Sequence, residues 1–150
     1  MNTKDHGMTF IVKAMARLTI VFVLVFGIYI SVHGHVSPGG GFAGGIIIAL
    51  SFIQLMLAYG KDAALSKLPK TIASLFESFG AIALLAISAL GFMGGYFFLN
   101  FFASKGEPFT LFSAGIIPLA NIAIMVKVFT GIFAIFIVLV LLKSKNGSGE

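Results

Sequence analysis

The sequence predicts an all-α integral membrane protein of four transmembrane helices, and three observations carry that prediction. Of 150 residues, 59% are hydrophobic and only 10% charged, with a mean hydropathy of +1.08, far from the usage of soluble globular domains. The apolar residues gather into four runs near or beyond the roughly 20 residues a helix needs to cross a hydrocarbon core. The basic residues flank those runs, where lipid headgroups can meet them.

The first run extends from about residue 14 to 32. Lys13 and Arg17 lie one turn apart at its start, with stems long enough to reach headgroups. A basic start before an apolar run also fits a secretory signal peptide. However, no small-x-small cleavage site follows Val32 and further runs come later, so an uncleaved span is expected.

The chain then enters its densest glycine stretch, His33-Gly-His-Val-Ser-Pro-Gly-Gly-Gly-Phe-Ala-Gly-Gly45. Pro38 fixes its own φ and disfavours a helical Ser37, so the first span must stop and a tight turn is expected between helices 1 and 2. The second span follows over 41–59. Its Gly40/Gly44 and Gly41/Gly45 pairs have the small-xxx-small spacing that lets helices approach closely in lipid.

Residues 60–78 form a polar connection with Lys61, Asp62, Lys67, Lys70 and Glu77, in which Pro69 is expected to break any helix. The third span is expected over 79–102. Gly91 and Gly95 give it another packing pair, and Tyr96, Phe97, Phe98, Phe101 and Phe102 form an interfacial aromatic anchor. A short loop over 103–112 leads to the fourth span, about 114–142, long enough to tilt or to carry a broken entry turn at Pro118. A polar tail, 143–150, ends the chain.

Charge bias sets the orientation. Four spans put both termini on one side together with the 60–78 connection, and that side collects Lys4, Lys13, Arg17, Lys61, Lys67, Lys70, Lys143 and Lys145, against Lys105 alone on the other. Both termini are therefore expected in the cytoplasm, in a multi-pass protein of the cell membrane whose glycine turn faces outward.

Lys127 is the tenth basic residue and falls inside the fourth run. On a helix from Ile116 to Leu142 it lies roughly 16 Å from one end and 22 Å from the other. Its stem is too short to reach water from there. A lysine at the bilayer centre costs about 2.5–3.5 kcal/mol on insertion scales and is held against protein or a wet cavity. Two readings stand: a residue of an ion or proton route, or a structural lysine bonded to a neighbouring subunit.

Asn121 sits six positions earlier, about 240° around the helix, so it does not share Lys127's face, and capping or hydrogen bonding near Pro118 suits it better than ligating an ion. Glu77 reads as a headgroup-level carboxylate or as the entrance of a proton path. His33 and His35 could titrate near neutrality or ligate a metal, but two histidines at i, i+2 with no carboxylate nearby make a poor metal site, so interfacial histidines are the better reading.

Several function classes drop out. The chain has no cysteine, which removes disulfides, thiolate nucleophiles and thiolate-held metals or clusters from it. No Lys-Ser/Thr follows Gly45, so the glycine run is not a phosphate loop, and no strand–turn–helix context supports a dinucleotide site. The net charge of +5 has no groove-reading or aromatic-platform motif beside it, so nucleic acid is not an expected partner. No nucleophile–base pair or metal cluster supports an enzyme, and no cofactor or metal is expected.

The stretch from Gly34 to Gly45 resembles the signature of the B subunit of Mrp-type (Mnh-type) multisubunit cation/proton antiporters. The resemblance continues in Gly91-Phe-Met-Gly-Gly95, Ser113-Ala-Gly-Ile-Ile-Pro118, Asn121-Ile-Ala-Ile-Met-Val-Lys-Val128 and Gly131-Ile-Phe-Ala-Ile-Phe136, and covers roughly Phe10 to Leu142. It implies four spans and a place in a large membrane assembly that exchanges Na+, sometimes another monovalent cation, for H+. Similar subunits occur in redox-driven membrane-bound hydrogenases and sulfur-reducing complexes, and a purely structural assembly role is a further alternative.

By resemblance, His35, Pro38, Gly39, Gly40, Gly41, Phe42 and Lys127 are the positions that matter. Together with the residue reading above, Gly44 and Gly45 join the structural motif, Gly91, Gly95 and Gly131 are helix-packing positions, and Lys127, Glu77 and His35 are the ion-translocation candidates. Ala43 departs from the longer, often polar residue expected there. Other membrane subunits, the lipid bilayer and the transported Na+ and H+ are the implied partners.

Overall fold

The computed structural model describes residues 8–100 and 114–146. The N-terminal tail with Lys4, the aromatic pair Phe101 and Phe102, the loop with Lys105, Ser113 and the last four residues of the polar tail lie outside them. The described residues form α1 (Phe10–Val32), α2 (Gly41–Tyr59), α3 (Lys61–Lys67), α4 (Lys70–Leu90), a 3-10 turn (Gly91–Gly94) and α5 (Ile117–Asn146). Four stretches, Phe10–Val32, Gly41–Tyr59, Lys70–Gly94 and Ile117–Leu142, are long and apolar enough to cross a membrane.

α2 lies between α1 and α5, and α4 packs on the far side of α5. Met8 N–H donates to Ala58 O at 3.2 Å and the Tyr59 hydroxyl to Lys13 O at 2.8 Å, so α1 and α2 run antiparallel. Gly41 meets Asn121, Gly45 meets Met125 and Val128, and Phe52 packs on Phe129 and Phe133, so α2 and α5 run parallel. Gly80 meets Ala123 and Lys127, while Glu77 meets Gly131, which makes α4 antiparallel to α5. One end of the bundle thus gathers Lys13, Arg17, Lys61, Lys67 and Lys70; the other carries the glycine turn and the start of α5.

The apolar core sits toward the basic end, where Met56, Ala64, Leu68, Ala73, Phe133 and Ile137 are buried together. Elsewhere the helices meet through small residues. α2 turns Gly41, Gly45 and Ala49, spaced four apart, into its buried surface, with the two glycines against α5, while Gly44 meets Ser31 and the backbone of Gly27 on α1. Ser31, Ser51 and Thr130 are fully buried. Their hydroxyls donate back to carbonyls of their own helices at 2.7–2.9 Å, which satisfies them where water is absent.

The third membrane helix departs from the sequence expectation. It begins at Lys70, nine residues before 79, and the stretch read as a polar connection is largely helical. Pro69 does interrupt the helix, between α3 and α4, and it also starts the next one. With φ −60° it stands at the N-cap position, and Leu68 before it is extended at φ −136°, as the residue before a proline prefers. Ala64 and Leu68 are buried beneath the bundle while Lys61, Asp62 and Lys67 face outward, so α3 is an amphipathic corner. Glu77 is thereby drawn inside the membrane helix, away from its end.

Gly91 and Gly95 do not form a helix-packing face, a second correction. The α-helix stops at Leu90, and Gly95 adopts φ +104°, a left-handed conformation that glycine takes at little cost. The chain then folds back, with Phe98 N–H donating to Ser88 O at 3.2 Å. A side chain at Gly91 would meet the returning backbone at Phe98 and Leu99, while none would touch anything at Gly95. Pro118 lies in the first turn of α5, where its missing N–H costs nothing.

Candidate functional site

Two places on the bundle concentrate polar groups inside otherwise apolar surroundings. The first is the glycine end. α1 closes with His33, whose ring stacks on Tyr29 at 4.1 Å between centroids and whose Nδ1–H points to Tyr29 O at 3.0 Å. The Val36 and Ser37 amides donate to His33 O, both at 2.9 Å, and the chain turns through Pro38. Gly40 has φ +91°, a conformation that strains any residue with a Cβ.

Asn121 of α5 fills the inside of this turn. Its Oδ1 accepts from Gly41 N–H at 3.3 Å, capping α2 from a different helix. Side chains added at Gly34, Gly40 or Gly41 would each run into Asn121, so the glycines exist to let α5 in. Asn121 Nδ2 is fully buried and has no hydrogen-bond partner among the described residues. His35 is half-buried in the same turn, and Phe42 projects outward from the first turn of α2.

The second place is the α4–α5 contact. Gly80 presses against the backbone of α5, where an added Cβ would lie 2.9 Å from Ala123 O and 2.9 Å from Lys127 N. This close approach holds the backbone of Lys127 in place, yet the residue itself remains exposed on the surface of the chain. One turn along, the Glu77 carboxylate lies over Gly131, whose missing side chain would begin 3.6 Å from Oε1. Glu77 is half-buried and lines a groove of about 190 Å3 with Lys70, Ala73, Ser74, Ala134, Ile137 and Val138.

Of the predicted site residues, Glu77 and Gly131 come together across α4 and α5, and Lys127 lies one turn from Gly131 and is exposed. Pro38, Gly39, Gly40 and Gly41 come together at the turn, with Asn121. His35 does not join Glu77 and Lys127: Lys127 is ten residues into α5, roughly 15 Å from the end where the turn lies. Gly80 was missed by sequence reasoning because it stands alone, with no glycine or alanine at i±4 to mark a packing stripe. Among the described residues, no three His, Asp or Glu side chains group as a metal site.

Residues 11–134 match the family model described as a domain related to the MnhB subunit of Na+/H+ antiporters. An uncharacterised protein of Methanocaldococcus jannaschii is 39% identical over 128 residues, covering 81% of this chain and 48% of that protein. A protein of Staphylococcus epidermidis named as antiporter subunit mnhB2 is 30% identical over 131 residues, covering 81% of this chain and 92% of its own length. A chain in the structure of the membrane-bound sulfane sulfur reductase, an archaeal respiratory membrane complex, superposes with a TM-score of 0.73 at 27% identity, over 91% of this chain and 62% of that one. The chain thus spans about half of the archaeal relative and under two thirds of the solved chain. With all four membrane helices falling largely or wholly within the matched segment, the chain belongs to the family of domains related to the MnhB subunit of Na+/H+ antiporters.

Proposed function

We propose that the chain is a membrane subunit of a multisubunit assembly that exchanges Na+ for H+, and that it contributes Lys127 to an ion route shared with a neighbouring subunit. Family membership across residues 11–134 carries the first part. The exposure of Lys127 supports the second: it stands mid-helix, too far from either end to reach water along its own stem, and its own chain leaves it uncovered. A charge so placed needs a polar group from outside this chain. The neighbouring subunit supplies that group, and Lys127 serves transport through it.

Both termini lie on the cytoplasmic side in this reading, because the basic end collects Lys13, Arg17, Lys61, Lys67 and Lys70 while the glycine end carries His33 and His35. His35 then belongs to the outer mouth. The chain holds no catalytic site of its own and acts only within the assembly.

The likeness to a chain of the sulfane sulfur reductase favours a second setting, in which the same subunit serves a redox-driven pump. Purifying the tagged complex gently and identifying its subunits separates the two. Antiporter-type subunits that sustain Na+-driven proton movement in proteoliposomes support the exchanger; iron–sulfur proteins in stoichiometric amount support the redox pump. A purely structural role predicts that Lys127→Ala assembles and transports normally.

A further inference from the structure

We propose that the groove between α4 and α5 is a water-accessible proton inlet that opens at the basic end of the bundle and terminates at Glu77. This rests on the antiporter reading above. Lys70, Ser74 and Glu77 follow one another at i, i+4 and i+7, so they share one face of α4, and all three line the groove. Lys70 and Ser74 are exposed and Glu77 is half-buried. Polar groups therefore lead inward from the helix start over roughly 10 Å. The opposite wall is apolar, with Ala134, Ile137 and Val138 of α5.

Gly131 completes the inner end. Its missing side chain leaves the Glu77 carboxylate a small space against α5, where a larger residue would seal it in hydrocarbon. A carboxylate inside a membrane helix is costly unless it is neutralised or meets water, and such residues mark ion and proton paths. The one charged side chain that lines the groove beside it is cationic, Lys70 at the mouth on its own helix; Lys127, on α5 one turn from Gly131, is exposed and does not line the groove. α3, which packs beside it at this end, contributes Ala64 and Leu68 to the adjoining core, and none of α1, α2 and α3 contributes a charged side chain to the groove lining.

That charge pattern decides which ion enters. A lysine at the mouth repels Na+, and beyond it the lining side chains offer only Ser74 Oγ and one carboxylate as oxygen ligands, too few to replace a cation's hydration shell. A proton needs neither, since it passes along water to the carboxylate.

The test uses the assembled complex in sealed membrane vesicles of both orientations, with a water-soluble carbodiimide and an added primary amine. The reagent activates a protonated carboxyl group and the amine displaces it, leaving an amide at Glu77 that mass spectrometry of the peptide reads. Labelling from the Lys70 face is expected to exceed that from the other face several-fold, and Ala134→Phe or Val138→Phe in the groove is expected to slow it several-fold while the complex still assembles. Equal labelling from both faces, no labelling from the Lys70 face, or labelling unmoved by either phenylalanine would overturn the inlet. Slower labelling on exchanging N-methylglucamine for Na+ would overturn the choice of proton. Antiport by the same vesicles is assayed in parallel: labelling without antiport removes the exchanger reading and keeps the inlet, and antiport without labelling does the reverse.

Discussion

Gly80 of α4 rests directly on the backbone of Lys127 in α5, so closely that an added Cβ would lie 2.9 Å from the Lys127 nitrogen and 3.1 Å from its Cβ. The neighbours on that side are backbone and cannot swing away. Alanine gains about 0.5–1 kcal/mol over glycine in helix propensity, but wedging the two helices apart costs about 1–3 kcal/mol. Gly80→Ala is therefore expected to lower the melting temperature of the complex slightly and Gly80→Leu substantially, read by thermal denaturation in detergent. A Gly80→Leu complex as stable as the parent would show that α4 and α5 do not meet here.

Asn121 ties the glycine turn to α5 through a bond between residues 80 positions apart. Replacing an N-cap side chain by alanine costs about 0.5–2 kcal/mol, so Asn121→Ala is expected to destabilise by that order and to speed hydrogen exchange at the Gly41 amide. Asn121→Asp keeps the acceptor and places a negative charge at a helix N-terminus, and is expected to retain most of the protection.

The two sides of α2 should fail separately. Gly44→Val collides with Ser31 and Gly27 of α1, and Gly45→Val with Met125 and Val128 of α5. Each is expected to cost about 1–3 kcal/mol. Gly44→Val should raise protease sensitivity in α1 while the α4–α5 contact persists; loss of both contacts together would contradict the layered order.

Much of this was legible in the sequence, and the gaps have physical reasons. Hydropathy marks where four helices lie, because the bilayer length is a strong constraint. It also marks Lys127 as an intruder. The sequence places the start of the third span too late because Pro69 both ends one helix and begins the next, and the turns that follow carry Lys70 and Glu77, which read as a polar connection until Ala64, Leu68 and Ala73 pack together. Gly91 and Gly95 misled because a small-xxx-small spacing also serves a chain that turns back on itself. Nothing local pairs Asn121 with Gly41 or Gly80 with Lys127, since both contacts exist only once distant helices meet.

The absence of native cysteine makes topology directly testable. Single Ser37→Cys and Ser66→Cys variants are expected to react with a membrane-impermeant maleimide from opposite faces, Ser37→Cys from outside and Ser66→Cys from the cytoplasm. Reaction of both from one face would overturn the orientation.

The most direct test of the account is Na+-driven proton movement by the purified complex in proteoliposomes, compared between the parent and Lys127→Ala at equal subunit content. The account predicts that Lys127→Ala assembles fully and transports at least several-fold more slowly, with Lys127→Arg restoring part of the rate. Full assembly with an unchanged rate would contradict it and leave Lys127 a structural residue at a subunit contact.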